Sequence, residues 1–260
     1  MRAWIAARPA LWRWYRQIRR RLLGEAPWPP SPIRQVLQSL ADEKAAIRFV
    51  QIGSNDASTG DPIIEFVQSY GWQGVLVEPV PYVFERLRRR FAANPRLKLE
   101  NLAIGSHTGQ RPFFCLEPLE RPPSRYYDQL GSFSRAHIEK HERYLPGVSA
   151  HIREIQVSCT TLTELLKKHD FRQLDLLQVD AEGADFEVLS SLDFDYCTPL
   201  LVLFEYGHLI RTEREQCVLF LQARGYRLLY EGRDCLAMHR EAGKHWPRTA
   251  LAFESLSPDV

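Results

Sequence analysis

An α/β domain on a mostly parallel sheet is the fold class this sequence predicts, and three observations carry it. From residue 47 onward, short apolar runs alternate with helix-patterned segments. Two of those runs, RFVQIGSND at 48–56 and LDLLQVDAEG at 174–183, end abruptly in small and acidic residues. In open α/β sheets ligands sit outside the carboxyl ends of the strands, so polar residues gathered there mark a site. Finally, residues 226–230 and 235–238 flank a turn at 231–234 and read as a hairpin, which adds an antiparallel strand.

Residues 1–31 are expected to form a basic, aromatic arm and a Pro-rich linker, with the folded domain over 32–260. Within residues 1–23, Arg2, Arg8, Arg13, Arg16, Arg19, Arg20 and Arg21 stand among Trp4, Trp12, Trp14 and Tyr15 with no acid. The continuous apolar core of a secretory signal or membrane span is missing. Two readings stay open for it: an amphipathic helix lying peripherally on an anionic membrane, and a solvated, loosely attached arm. The linker APWPPSP then breaks any helix.

Strands are expected at 47–53, 75–78, 97–104, 174–180 and 200–206. Asp61 before Pro62 suits a helix start, and Thr161 with Glu164 and Thr212 with Glu215 have capping-box spacing. Gly225 closes the last of these helices. Between 105 and 160 the alternation fails. Pro118, Pro122 and Pro123, the aromatics Phe113, Phe114, Tyr126, Tyr127 and Phe133, and the histidines His137, His141 and His151 stand in the interval, which is read as a partly ordered cap over the site.

Composition narrows the function classes. With 260 residues and 45% hydrophobic content the chain can bury a full core, and a net charge of +2 gives no electrostatic reason to expect a nucleic-acid partner. Five cysteines, widely spaced and without a C-x-x-C pair, indicate neither a disulfide framework nor a zinc site, so a reducing cytoplasm is the expected compartment.

In the first loop Gly53 permits a sharp turn and close approach to a ligand, and Ser54, Asn55 and Asp56 offer hydrogen-bonding groups. The second and third glycines of a dinucleotide loop are missing, and Asp56 would repel a diphosphate. An acid suits a ligand with an ammonium or sulfonium charge; S-adenosylmethionine has both. Glu78, ending the second strand, is placed to accept from ribose hydroxyls. Asn101 and Ala103 are weaker lining candidates. At the fourth strand Asp180 and Glu182 could anchor an amino group, orient the acceptor or take a proton, though Glu182 could equally cap the following helix. His208, beside Glu205 at the end of the fifth strand, is the other candidate base. His137 and His141, spaced i to i+4, could share a helix face and reach a metal, but no carboxylate or cysteine completes a recognisable set, and no metal is assigned.

The segments FVQIGSND, LVEPVP, NLAIGSHTG, CTTLTELL, LLQVDAEGADFEVL and LVLFEYGHL, in this order, resemble the FkbM-like methyltransferases, a branch of the class I S-adenosylmethionine-dependent fold. The likeness runs from about residue 48 to 238. It implies a Rossmann-like, seven-stranded sheet with one antiparallel strand, S-adenosylmethionine as cofactor, and methyl transfer to a hydroxyl of a sugar, polyketide or similar small metabolite. It implies cofactor roles for Gly53, Asn55, Asp56 and Glu78, and a site role for Asp180 and Glu182. Asp180 or His208 is then expected to act as base, with Ser132 of the cap and Glu205 lining the acceptor. The first loop, GSNDASTGDP, is longer than the family's usual glycine turn, and Asp185 stands where the family often has Glu. Two other classes share some of these features: a silent adaptor that keeps the fold, and a nicotinamide oxidoreductase.

Overall fold

The computed structural model describes residues 30–44, 46–58, 60–124, 126–207 and 209–257. The basic arm therefore lies outside the described residues, and so does His208. Residues from Pro32 onward form one compact unit.

Seven strands make the main sheet. They are β1 (Arg48–Ile52), β2 (Gln73–Val77), β3 (Leu97–Glu100), β7 (Leu176–Val179), β8 (Leu201–Glu205), β9 (Tyr226–Glu231) and β10 (Asp234–His239), in the order β3-β2-β1-β7-β8-β10-β9. The pairs among β3, β2, β1, β7 and β8 are parallel, while β10 runs antiparallel to both β8 and β9. The chain order reverses between β1 and β7, which makes the gap above those strands the switch point where ligands dock.

The central strands are apolar on both faces because helices cover both. Phe49, Leu76, Leu176 and Leu203 pack with α1 (Pro32–Glu43), α2 (Ile64–Tyr70) and the C-terminal helix Pro247–Leu256. Val50, Val77, Leu177, Val179 and Phe204 point the other way, toward α5 (Leu162–Lys168), α6 (Asp185–Ser190) and α7 (Arg211–Gln222). Leu87 and Phe91 of α3 (Pro81–Phe91) pack in the first of these layers, and α4 (Arg135–Glu139) lies in the cap. The Glu43 carboxylate accepts from the backbone N–H groups of Arg248 and Thr249, tying the first helix to the last. Among the described residues no helix is long and apolar enough to cross a membrane.

Several expectations need correction. The run 97–104 is two strands: β3 ends at Glu100, and β4 (Ala103–Ile104) joins a separate three-stranded sheet. The other members of that sheet are β5 (Gly109–Leu116) and β6 (Ile152–Thr160), an antiparallel pair that supplies regular structure where the alternation failed. The cap proper hangs between them. The helix expected at Thr212 starts at Arg211, with the Glu213 carboxylate accepting from the Ile210 N–H in place of the Thr212–Glu215 box. Thr161 caps α5 by accepting from Glu164 N, and the Asp61 carboxylate accepts from the N–H groups of Ile63 and Ile64 as α2 begins.

Candidate active site

A cavity opens at the carboxyl ends of β1, β2 and β7. Gly53, Ser54 and Asn55 line it from the first loop, Glu78 from the second strand end, Ala103 from β4, and Asp180 with Glu182 from the end of β7. Asp128, Gln129, Gly131 and Phe133 of the cap close one side.

The two strand ends are locked together. Gly53, at φ +76°, sits so close to β7 that a Cβ there would lie 1.8 Å from the Asp180 carbonyl oxygen. The close approach that demands glycine is thus to the protein's own backbone. Ser54 is similarly occupied: its hydroxyl donates to Gln51 O and accepts from Val77 N, stapling β1 to β2. Asn55 takes a left-handed backbone (φ 48°), donates its N–H to the Glu78 carboxylate at 2.9 Å, and holds the cap through Nδ2 to Asp128 O at 2.9 Å.

Two sequence candidates fall away from the cavity. With Asn55 and Ala57 both at positive φ, the loop turns Asp56 outward, where its carboxylate faces Arg86 at 3.6 Å and accepts from Ser58 N. The cation expected beside Asp56 is therefore an arginine of the chain itself. Asn101 is exposed and braces the turn after β2 by donating to Glu78 O and Pro79 O. Neither lines the cavity.

Glu78 is buried, with Oε2 on Asn55 N and Oε1 on Val80 N at 2.8 Å. Burial nonetheless pushes its pKa up to about 7, since desolvation outweighs those two bonds. At the end of β7, oxygens of Asp180, Glu182 and Glu205 lie within 4.8 Å of one another. Burial first, and then the charges of Glu182 and Glu205, hold the Asp180 carboxyl well above the usual range. The flanking acids have cationic or donor partners: Arg233 meets Glu205 at 3.0 Å and His137 meets Glu182 at 3.1 Å. Asp185, beneath the cluster, is lifted to about 8 chiefly by burial.

Sequence reasoning passed over three lining groups. Gln51 and Gln178 are register partners on β1 and β7, both buried, and both Oε1 atoms lack a hydrogen-bond partner among the described residues, as does Asp180 Oδ1. An amide set inside an otherwise apolar strand (RFVQI, LLQV) was the available signal. Asp61, taken only for a helix start, also lines the cavity; its second oxygen accepts from Gln51 Nε2 at 2.8 Å. Burial raises its pKa.

The family model for the methyltransferase FkbM domain matches residues 51–228. This chain belongs to the FkbM methyltransferase domain family. Curated proteins give no match. Among solved structures, the FkbM methyltransferase of Methylobacillus flagellatus KT aligns with a TM-score of 0.46 at 12% identity, over 75% of this chain and 44% of that one. This FkbM-domain chain thus spans less than half of that relative's length. The N-terminal domain of human METTL16 in complex with SAH aligns at 0.40 and 12% identity over 82% and 72%, and the precorrin-6Y C5,15-methyltransferase of Geobacter metallireducens at 0.39 and 10% over 79% and 87%.

Within this FkbM domain, Ser132 stands in the cap beside the β7 end, its hydroxyl donating to Glu182 O at 2.8 Å. A second cavity shares Phe133 with the first and is lined by Ser132, Ser134, Glu187, Ser190 and Gln216. Glu205 approaches the acid cluster without lining either cavity.

Proposed function

We propose that the chain is an S-adenosylmethionine-dependent O-methyltransferase acting on a hydroxyl of a small metabolite such as a sugar or polyketide. One observation carries this: on a fold of this family, a single cavity at the switch point is lined by the buried Glu78 carboxylate and by Gln51, Gln178 and Asp180, each with a buried oxygen that has no partner among the described residues. Orphaned buried acceptors cost free energy unless a ligand donates to them.

The residues present fit the cofactor. Glu78 would hold the ribose hydroxyls, and the unmet oxygens of Gln51, Gln178 and Asp180 would hold the ammonium group. When bound, S-adenosylmethionine would supply an activated methyl group on a cationic sulfur, a leaving group able to take the bonding pair as the acceptor oxygen takes the methyl. What remains for the chain is to align the acceptor and receive its proton.

Of the acids proposed for that proton, Asp180 is the less available, because burial and then the neighbouring charges of Glu182 and Glu205 raise its pKa. Glu182, which borders the cavity and has His137 beside it, is the better acceptor. The polar second cavity suits a hydroxylated acceptor. Five buried, unpaired cysteines fit a reducing compartment such as the cytoplasm.

Calorimetry with S-adenosylmethionine and S-adenosylhomocysteine, followed by a methyl-transfer screen over hydroxylated metabolites, tests the proposal. Binding with turnover supports it. Binding without turnover on any acceptor would leave an adaptor, and tight NADH binding in its place would make the chain an oxidoreductase.

A further inference from the structure

Glu182 is held in an unusual way. Its backbone is left-handed (φ 46°), a conformation that costs a non-glycine residue roughly 1 kcal/mol or more and persists only where surroundings enforce it. Two cap residues do so: Ser132 donates its hydroxyl to Glu182 O at 2.8 Å, and His137 Nε2 stands 3.1 Å from Glu182 Oε2. Because a carboxylate only accepts, the His137 ring donates from Nε2.

The histidine is built into place. It is buried on α4, a helix that Ser134 caps by accepting from His137 N. Its ring rests where Gly183 has no side chain; a Cβ on Gly183 would lie 2.7 Å from Nδ1. On the other side His141 donates from Nδ1 to His137 O at 3.2 Å. Cap, histidine and strand end therefore form a continuous chain of contacts ending at a carboxylate that borders the cavity.

We propose that His137 is a positioning residue of the reaction, holding the Glu182 carboxylate toward the cavity so that it takes the acceptor's hydroxyl proton. The inference rests on the methyl-transfer reading above. As the acceptor oxygen gains the methyl carbon, its O–H bond breaks, the bonding pair stays on oxygen, and the proton passes to Glu182. The His137 N–H bond keeps the carboxylate in one rotamer before transfer.

The test has two arms, both on the full chain. In proton NMR at neutral pH with S-adenosylhomocysteine present, a downfield ring N–H signal is expected that disappears in both His137→Ala and Glu182→Ala. Its persistence in Glu182→Ala would overturn the proposed grip. In methyl transfer from S-adenosylmethionine to a panel of methyl glycosides, His137→Ala is expected to lower kcat about 100-fold with donor KM changed less than about twofold. His137→Gln, whose amide N–H can replace Nε2, is expected to recover most of that loss. Wild-type kcat in folded His137→Ala, or no recovery with Gln, would overturn the inference while the methyl-transfer reading stands. A wild-type chain that neither binds S-adenosylhomocysteine nor methylates any probe would sink that reading itself, and the NMR arm would still decide whether His137 grips Glu182.

Discussion

Replacing Glu78 by Gln removes a titrating group from the middle of the cavity, and the size of the effect follows from its surroundings. Glu78 is 5% exposed, and burial lifts its pKa from an ordinary 4.5 to about 7 against the pull of two backbone N–H bonds. At about 1.4 kcal/mol per pH unit, that rise corresponds to roughly 3 kcal/mol of pH-linked stability. The sign is fixed by which state holds the proton more tightly. Here the folded state does, so the stabilisation is complete below about pH 4.5 and is lost as pH climbs through 7. Asp180 and Asp185 shift in the same direction, so the wild-type chain loses more than one group's share over this range. The difference between wild type and Glu78→Gln isolates Glu78. Urea unfolding at pH 5 and pH 8 should show the wild-type advantage over the variant shrinking by roughly 3 kcal/mol at the higher pH. Identical pH dependence in the two proteins would refute the assignment of a buried, proton-retaining carboxyl at this position. Ribose hydroxyls would donate best to the ionised form, so cofactor affinity in the wild type should also weaken as pH falls below 7, and the Gln variant should lack that dependence.

Gly53→Ala is expected to cost at least about 2 kcal/mol in thermal or urea unfolding, since the new Cβ meets the Asp180 carbonyl at 1.8 Å and the backbone is left-handed. Thr161→Ala should cost about 1 kcal/mol by the same measurement, the worth of one N-cap bond to Glu164 N. Arg86→Ala removes the partner of both Asp56 and Asp128; because Arg86 is partly exposed, stability should fall by no more than about 1 kcal/mol, while hydrogen exchange around Asp128 quickens. If the basic arm contacts anionic membranes, a chain lacking residues 1–30 should sediment with anionic liposomes far less than the full chain.

The main sheet was legible because strands buried on both faces leave a plain trace. RFVQI and LLQV are near-continuous apolar runs, and each ends where a glycine or an acid must turn the chain. The hairpin of β9 and β10 was legible from its two-residue turn at Gly232 and Arg233. The β5–β6 pair within the interval read as a cap was not legible, because Pro112 lies inside β5, an edge position that tolerates it, and no strand was marked there.

At the site, Glu78 and Asp180 could be placed from strand ends alone, because topology carries every parallel strand's end to the same rim. Asp56 could not, since positive φ at Asn55 and Ala57 decides which way the loop faces, and neither residue type announces it. The pocket's charge was also misjudged. Counting acids takes each carboxyl at its ordinary pKa, whereas burial raises that of Glu78 to about 7 and that of Asp180 well above its usual range. His137 was weighed without its partner because Glu182 lies 45 residues further along the chain.

The account stands most directly on a crystal structure of the chain with S-adenosylhomocysteine bound. It expects the nucleoside in the cavity between Glu78 and Asp180, with the ribose hydroxyls on the Glu78 carboxylate and the amino group against Gln51, Gln178 or Asp180. A nucleoside seated anywhere else, or one in this cavity that leaves Glu78 untouched, would contradict it.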